Sequence, residues 1–512
     1  MLQVKHLTMT HTKDLKTLIH DLNFTLNTGD KMAIIGNEGN GKSTLLKWIM
    51  ADDKIEDYIQ VEGELVNQFS HVEYLPQFLP DKDSRISLEE YFFGADAVEA
   101  LDYAELYNIA SQLAFDPDRL TSTQILANLS GGERIKVQLI KILAKHPDLL
   151  LLDEPSNDLD LDAIYWLEHF IRSSSLTILF ISHDEALLKQ TASRILHIEL
   201  LRHKTIPLTT VANLDYTTYV QLRNEQIVTQ TQIANKQREE HDKKMEKYRR
   251  IESSVHDAQN KISRQNPAAA RLLKKKMHAV KSMEKRFEKE KDKFEDIPIQ
   301  EDPILIKFSG TEPLANGKTI LTLDNYTVSI DDILLAQSIN LLMRGPQKIG
   351  IVGKNGVGKS TFLKQLWNSL KNRTDINVGY MPQNYQSQFE LASSPIDFLS
   401  TTGDAEETTQ IMTYLGSMRF TADEMKHPIN ELSGGQQAKL FLLKMDLNGD
   451  NVLLLDEPTR NFSPLSQPEL RKSFATFKGA IITISHDRQF LKEVCDKVLE
   501  LTPNGLIETI IN

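Results

Sequence analysis

One set of four short motifs occurs twice along this chain, in the same order and at nearly the same spacing. GNEGNGKST begins at Gly36 and GKNGVGKST at Gly353, while LSGGE begins at Leu129 and LSGGQ at Leu432. LLLLDEP ends at Pro155 and VLLLDEP at Pro458, and ISHD recurs around His183 and His486. From the second motif onward Ser130, Asp153, Glu154 and His183 each reappear 303 positions later, as Ser433, Asp456, Glu457 and His486. Chance matches do not hold such register, so the chain must fold as two copies of one α/β phosphate-binding domain. Its 512 residues allow about three to four units of ~100–200 residues each. The expected division is residues 1–213, a connector 214–298, and residues 299–512.

The first motif is a cradle for phosphate. In GxxxxGK[ST] the glycines let the backbone wrap closely, so that successive N–H groups and the next helix N-terminus face the anion. The first copy supplies Gly36, Asn37, Glu38, Gly39, Asn40, Gly41, Lys42, Ser43 and Thr44. The second supplies Gly353, Lys354, Asn355, Gly356, Val357, Gly358, Lys359, Ser360 and Thr361. Lys42 and Lys359 are the candidates to reach the β- and γ-phosphates, and Ser43 and Ser360 the candidates to reach Mg²⁺. AII and GIV precede the two loops as strands, and TLLKWIM and TFLKQLW follow as apolar helices. Asp153 and Asp456 end apolar strands, where a carboxylate can hold Mg²⁺ through water. Glu154 and Glu457 come next and can polarise an attacking water. ATP and Mg²⁺ are the expected cofactors, and ATP hydrolysis to ADP and phosphate the expected reaction.

LSGG separates cassette ATPases from other P-loop enzymes, and with it both copies resemble the ATP-binding-cassette superfamily. The resemblance implies that Gln77 of YLPQ and Gln383 of YMPQ touch Mg²⁺ and the attacking water, and that His183 and His486 face the γ-phosphate. It also implies head-to-tail pairing of the copies within one monomer. One ATP would then lie between Lys42 and the signature Ser433, Gly434 and Gly435. The other would lie between Lys359 and Ser130, Gly131 and Gly132. Serine and glycine suit this role because a helix N-terminus must approach the γ-phosphate closely. Bound ATP would join the halves and hydrolysis would release them. SNDLD places Asp160 after the first glutamate, whereas TRNFSPLS places Ser463 at the matching position. That predicts unequal sites, with drift as the alternative. His11 is a candidate to stack on adenine, or a plain surface histidine.

No apolar run approaches the ~20 residues needed to span a bilayer. The N-terminus shows no apolar core with a cleavage site, and the lone Cys495 suits a reducing cytoplasm. The connector is more informative. From Asp215 to about His256 no proline or glycine interrupts a polar, helix-favouring run, in which Val220, Ile227, Ala234, His241, Tyr248 and Val255 recur every seven residues. After Pro267, Leu273, Met277, Val280, Phe287 and Phe294 form a second seam, with Glu284 and Lys291 as polar exceptions. Two antiparallel helices are predicted, the first on the order of 60 Å long. The chain carries a formal −12, yet Lys261–Lys291 holds eleven basic residues against three acidic ones, a local +8. A basic projection on an acidic protein suits a polyanion, through phosphates rather than base stacking. A solvated coiled coil that merely joins two domains is the competing reading.

Tandem cassettes without membrane spans, joined by a basic linker carrying RLLKKKMHAVKSMEKRFEKE, resemble the ABC-F family over essentially the whole chain. The resemblance implies a ribosome partner, with the linker directed at rRNA and P-site tRNA. TRNFSPLS resembles the antibiotic-resistance branch of Gram-positive bacteria, the Lsa and Vga types. That implies protection from lincosamides, streptogramin A compounds and pleuromutilins through the linker tip, Ile262–Ala270. The alternatives are a housekeeping ABC-F translation factor on stalled ribosomes and, more remotely, the ATPase subunit of a transporter.

Overall fold

The computed structural model describes residues 1–94, 102–201, 206–261, 267–291, 308, 312–330, 333–384, 393–418 and 420–511. They divide into two compact units, residues 1–216 with 301–512, and residues 217–300.

The first unit holds both copies. The first copy contains β1 (Leu2–His11), β2 (Thr17–Leu26), β3 (Lys31–Ile35), β4 (Ile59–Asn67), β5 (Val72–Leu75), β6 (Leu149–Asp153), β7 (Thr177–Ile181), β8 (Arg194–Leu200) and β9 (Ile206–Ala212). Three of these form an antiparallel sheet in the order β2–β1–β4, and six form a second sheet in the order β5–β6–β7–β3–β8–β9. All neighbours in the second sheet run parallel except β8 and β9. The second copy contains β10 (Thr319–Ile330), β11 (Ile333–Arg344), β12 (Lys348–Val352), β13 (Val378–Met381), β14 (Val452–Asp456), β15 (Ala480–Ile484), β16 (Lys497–Thr502) and β17 (Gly505–Thr509). β10 pairs with β11, and the remaining six repeat the first copy's order as β13–β14–β15–β12–β16–β17.

Why these strands are central is visible in their residues. LLLLD, TILFI, VLLLD and AIITI are buried at every position, as strands covered on both faces must be. β1 instead alternates, burying Leu2 and Val4, then Leu7 and Met9 after a break in register, the mark of a bulge in a half-covered strand. In the first copy the helix Lys42–Ile49 inserts Leu45 and Leu46 into a core with Leu7, Ile19, Leu151 and Ile181. Phe362 and Leu363 of the helix Lys359–Leu370 do the same against Ile339, Leu454 and Ile482. Because β6, β7 and β3 are adjacent, their C-terminal ends bring DEP, ISHD and the phosphate loop together. Ligands of open α/β sheets bind at such ends.

The second unit contains the helices Tyr216–Lys261 and Pro267–Lys291. The 46-residue first helix is about 70 Å long at 1.5 Å per residue. Tyr248, Val280 and Phe287 form a buried cluster. Contact between positions so far on either side of a short link requires an antiparallel hairpin. Every member of the first seam is buried or half-buried, as are Leu273, Met277, Val280, Glu284 and Phe287, whereas Lys274, Lys275 and Lys276 are exposed. The link 262–266 and Phe294 lie outside the described residues, as do the side chains of 267–270 and Lys291. Among the described residues no helix is long and apolar enough to cross a membrane.

Candidate active site

Each phosphate loop turns from strand to helix through left-handed glycines. Gly36, Gly39 and Gly41 have φ of 143°, 76° and 87°, and Gly353, Gly356 and Gly358 have 142°, 82° and 99°. At Gly36 a Cβ would lie 2.1 Å from the Ile198 carbonyl oxygen, so only glycine allows this approach. Lys42 Nζ donates to the carbonyl oxygens of Gly36 and Asn37, each at 2.8 Å. Lys359 Nζ donates to those of Gly353 at 2.7 Å and Lys354 at 3.1 Å. Burial lowers the Lys359 pKa. Asn40 is buried and donates to the Ile198 carbonyl at 3.0 Å. Thr44 and Thr361 are half-buried, and Val357 packs on the second core.

The acidic residues stand beside these loops. Ser43 Oγ donates to Asp153 Oδ1 at 3.0 Å, and Tyr74 donates to Asp153 Oδ2 at 2.8 Å. Ser360 stands beside Asp456 at the matching place and works against the burial that raises the Asp456 pKa. Burial raises the pKa of both aspartates. Hydroxyl, carboxylate and amide oxygens at Ser43, Asp153 and Gln77, and at Ser360, Asp456 and Gln383, are the hard donors Mg²⁺ prefers. The glutamates adopt φ of 47° at Glu154 and 52° at Glu457, a sparsely populated region for a side-chain-bearing residue and a recurrent one at functional sites. Gln77 Nε2 donates to Glu154 Oε2 at 2.9 Å, and Asn157 Nδ2 donates to the same oxygen. His183 Nε2 lies 3.3 Å from Glu154 Oε1, and His486 Nε2 lies 3.6 Å from Glu457 Oε1.

The two signatures begin helices that cap themselves. Ser130 and Glu133, and Ser433 and Gln436, form reciprocal capping boxes at the helices Gly131–Leu143 and Gly434–Leu447. This is the S-x-x-E/Q pattern, readable in LSGGE and LSGGQ. A Cβ at Gly131 would lie 2.2 Å from the Asp158 carbonyl oxygen. Each phosphate loop meets the other copy, one at the signature and one at the loop after Glu154. Gly435 N donates to Glu38 Oε2 at 3.1 Å. Asn355 Nδ2 donates to the Asp158 carbonyl at 2.6 Å, and Asn355 N donates to Asp160 Oδ2 at 3.4 Å. A cavity of about 790 Å³ joins Ser130 and Gly131 of the first copy to Lys359, Ser360, Gln383, Glu457 and His486 of the second. Gly132 and Gly434 lie in the same helix starts. His11 is bonded to Asp14 at 2.9 Å.

A family model described as ABC transporter matches residues 19–157 and 336–460, one stretch in each copy. The chain belongs to the ABC transporter family. Its similarity along nearly the whole length is to ABC-F type proteins. ABC transporter F family member 2 of Arabidopsis thaliana is 27% identical, over 96% of this chain and 75% of its own. The ribosome protection protein VmlR of Bacillus subtilis (strain 168) is also 27% identical, over 96% of this chain and 85% of its own. Among solved structures, the archaeal ribosome recycling factor aABCE1, seen with the ribosomal stalk protein aP1, aligns with a TM-score of 0.59. That alignment has 17% identity and covers 97% of this chain and 87% of the other, so the likeness is one of fold.

As in this family generally, the two domains are built to bind ATP with Mg²⁺. Here the two sites differ. Burial pushes the Glu154 carboxyl upward, but His183 and Lys42 outweigh it and hold it at about 2. Burial, joined by the neighbouring Asp456, pushes Glu457 up to about 8. Burial, joined by Lys359, lowers His486 to about 3 against the pull of Asp160. Asp160 caps the helix Leu161–Ser173 and also reaches Asn355 across the interface. Ser463 is buried, with Oγ 3.2 Å from Ser466 Oγ. Its loop reaches the first copy by other atoms: the Phe462 carbonyl lies 3.2 Å from His183 Nδ1, and Gln467 Nε2 donates to the His183 carbonyl at 2.9 Å. Tyr74, Asn157, Asp158 and Gln467 are members of the site that the motifs did not single out. Asn157 and Asp158, inside SNDLD, carried a signal by position, whereas Gln467 carried none.

Proposed function

We propose that this chain is an ABC-F ATPase that closes on two ATP molecules, hydrolyses them, and works on the ribosome in the cytoplasm as a monomer. The observation that carries the proposal is the crossing of each phosphate loop to the other copy, with Glu38 against the signature Gly435 and Asn355 against Asp158 and Asp160 of the loop after Glu154. Lys42 and Lys359 bind the phosphates, and the signature helix of the opposite copy completes each pocket. Mg²⁺, held by Ser43, Asp153 and Gln77 or by Ser360, Asp456 and Gln383, neutralises charge on the phosphates when bound. Glu154, oriented by Gln77 and Asn157, and Glu457 hold the attacking water and accept its proton, while His183 and His486 face the γ-phosphate. The domains divide at residues 1–213, 214–298 and 299–512.

The ribosome enters on two grounds. A relative similar along almost the whole chain is a ribosome protection protein, and the hairpin exposes Lys274, Lys275 and Lys276 as phosphate contacts. We read the hairpin as directed at rRNA and P-site tRNA. Its tip would protect the peptidyl transferase centre against lincosamides, streptogramin A compounds and pleuromutilins, as the Lsa and Vga types do. Drug susceptibility of cells with and without the gene tests this. Protected cells support it, whereas unchanged susceptibility with retained ribosome binding points to a housekeeping translation factor. Replacing Glu154 and Glu457 together by Gln should leave ATP binding intact, abolish turnover and hold the protein on ribosomes. Wild-type turnover in that variant would remove the assigned roles.

A further inference from the structure

The register that relates the two copies, 303 positions, also relates four charged side chains outside the motifs' assigned roles. Glu168 in the first copy corresponds to Arg471 in the second, and Glu185 corresponds to Arg488. At both places the sign of the charge is inverted between copies that are otherwise alike. In the structure the pairs cross from one copy to the other. Arg488 donates through both terminal nitrogens to the Glu168 carboxylate, with Nη1 3.3 Å from Oε2. Arg471 Nη1 lies 2.8 Å from Glu185 Oε2. All four side chains are buried, Arg471 to 3% exposure.

Their surroundings hold them in place. The Arg488 guanidinium lies over the Tyr165 ring, 4.7 Å from its centroid. Arg471 Nε donates to Glu493 at 2.9 Å, and Lys189 pairs with the other Glu185 oxygen at 2.8 Å. Glu168 and Glu185 stand on the helices Leu161–Ser173 and Glu185–Thr191. Arg471 and Arg488 stand on the helices Gln467–Thr476 and Arg488–Val494. The helices that begin at Glu185 and Arg488 pack against each other.

We propose that this quartet decides which ATPase domain closes on which: a domain of the first type accepts one of the second type and rejects its own kind. The reason is symmetry. In a head-to-tail pair the position of Glu168 on one domain meets the position of Glu185 on the other. Two first-type domains would therefore bury four carboxylates against one another, and two second-type domains would bury four guanidiniums. A buried charge without its counter-charge is strongly destabilising, and discrimination between partners is built by such clashes as much as by attraction. The motifs around both ATP pockets are nearly the same in the two copies, so they discriminate weakly between these pairings. The quartet supplies the discrimination. Within one chain the two halves are also held at high effective concentration, so closure is intramolecular.

The test uses the full chain in three variants: Glu168→Arg with Glu185→Arg, Arg471→Glu with Arg488→Glu, and all four changes together. Each double variant should lose about tenfold or more of its ATP turnover, because like charges now meet in a buried interface. The fourfold exchange restores opposite signs and should recover turnover to within about threefold of wild type, since the sites couple directly. Mixing the two double variants should produce ATP-dependent dimers of chains in sedimentation, with turnover above that of either alone. Wild-type turnover in a double variant would overturn the proposal. So would a fourfold exchange that unfolds at the wild-type temperature yet stays as inactive as the doubles. Should a double variant fail to fold, Glu168→Gln, Arg488→Gln and their combination replace it. The combination should then lose no more turnover than the worse single change, and simply additive losses would overturn the proposal.

Discussion

Glu38 shows how one residue can change a site whose motif is intact. It occupies the loop position that Asn355 occupies in the second copy, and its carboxylate accepts from Gly435 N at 3.1 Å. That atom belongs to the helix start that, in the proposed function, the signature would offer to a phosphate, and an anion there is favourable by itself. A carboxylate and a phosphate competing for one helix start repel each other, so Glu38→Asn should lower the KM for ATP about threefold or more. Turnover against ATP concentration checks this, and an unchanged or higher KM counts against the competition. Asp450 gives a second residue-scale test. It is buried between the helix Gly434–Leu447 and β14, and burial pushes its carboxyl from the ordinary 3.8 up to about 7. At low pH both folded and unfolded chains hold the proton and the stability is fully present. As pH rises past 3.8 the unfolded chain ionises first, and stability is lost until pH passes the folded value. Each unit of that gap is worth about 1.4 kcal/mol. Asp450→Asn should flatten the decline in unfolding temperature between about pH 5 and about pH 7. A decline as steep as wild type would show that another group causes it.

At the scale of elements, legibility followed the kind of signal each element carries. The central strands were readable because LLLLD is apolar at every position but the last and AIITI is β-branched at every position after its first, and the helix after each loop because its apolar residues share a face. The hairpin was readable from its seven-residue seam, and the structure buries or half-buries Val220 through Val255 along it. What lay hidden depends on pairs of elements. Gln467 reaches the His183 carbonyl from 284 positions away, and no local pattern announces that. The Glu168–Arg488 pair spans 320 positions, yet the 303-residue register already lines up its inverted charges. Lys274, Lys275 and Lys276 are exposed on the helix Pro267–Lys291 and free to meet phosphate. Changing all three to Gln should weaken ribosome association and reduce the slope of log affinity against log salt by about 2 to 3, roughly one per lost contact. ATP turnover without ribosomes should change little, because these residues belong to the other compact unit. A slope equal to wild type would return the hairpin to the role of a solvated connector.

For the whole molecule, the decisive property is that the chain is a near-symmetric pair with unequal halves. Glu154 is held by Gln77, Asn157 and His183. Glu457 accepts from His486 N at 3.4 Å, with the His486 ring 3.6 Å away, and Arg460 occupies the place of Asn157. Arg460 is drawn instead to Asp158 of the first copy at 2.9 Å. One of the two carboxylates proposed to be catalytic is therefore oriented within its own copy, whereas the loop behind the other is committed to the interface. Orientation of a base contributes to rate as proximity does, so the Glu154 site should hydrolyse first and the Glu457 site should govern reopening. Glu154→Gln should cost the larger share of ATP turnover, and Glu457→Gln should lengthen residence on ribosomes more than it slows the first turnover. Single-turnover hydrolysis and ribosome dissociation, measured on both variants, separate these effects. Two variants with equal rates and equal residence would mean that the Asp160/Ser463 difference and the unequal hydrogen bonding have no kinetic consequence, and that the sites fire as equivalents.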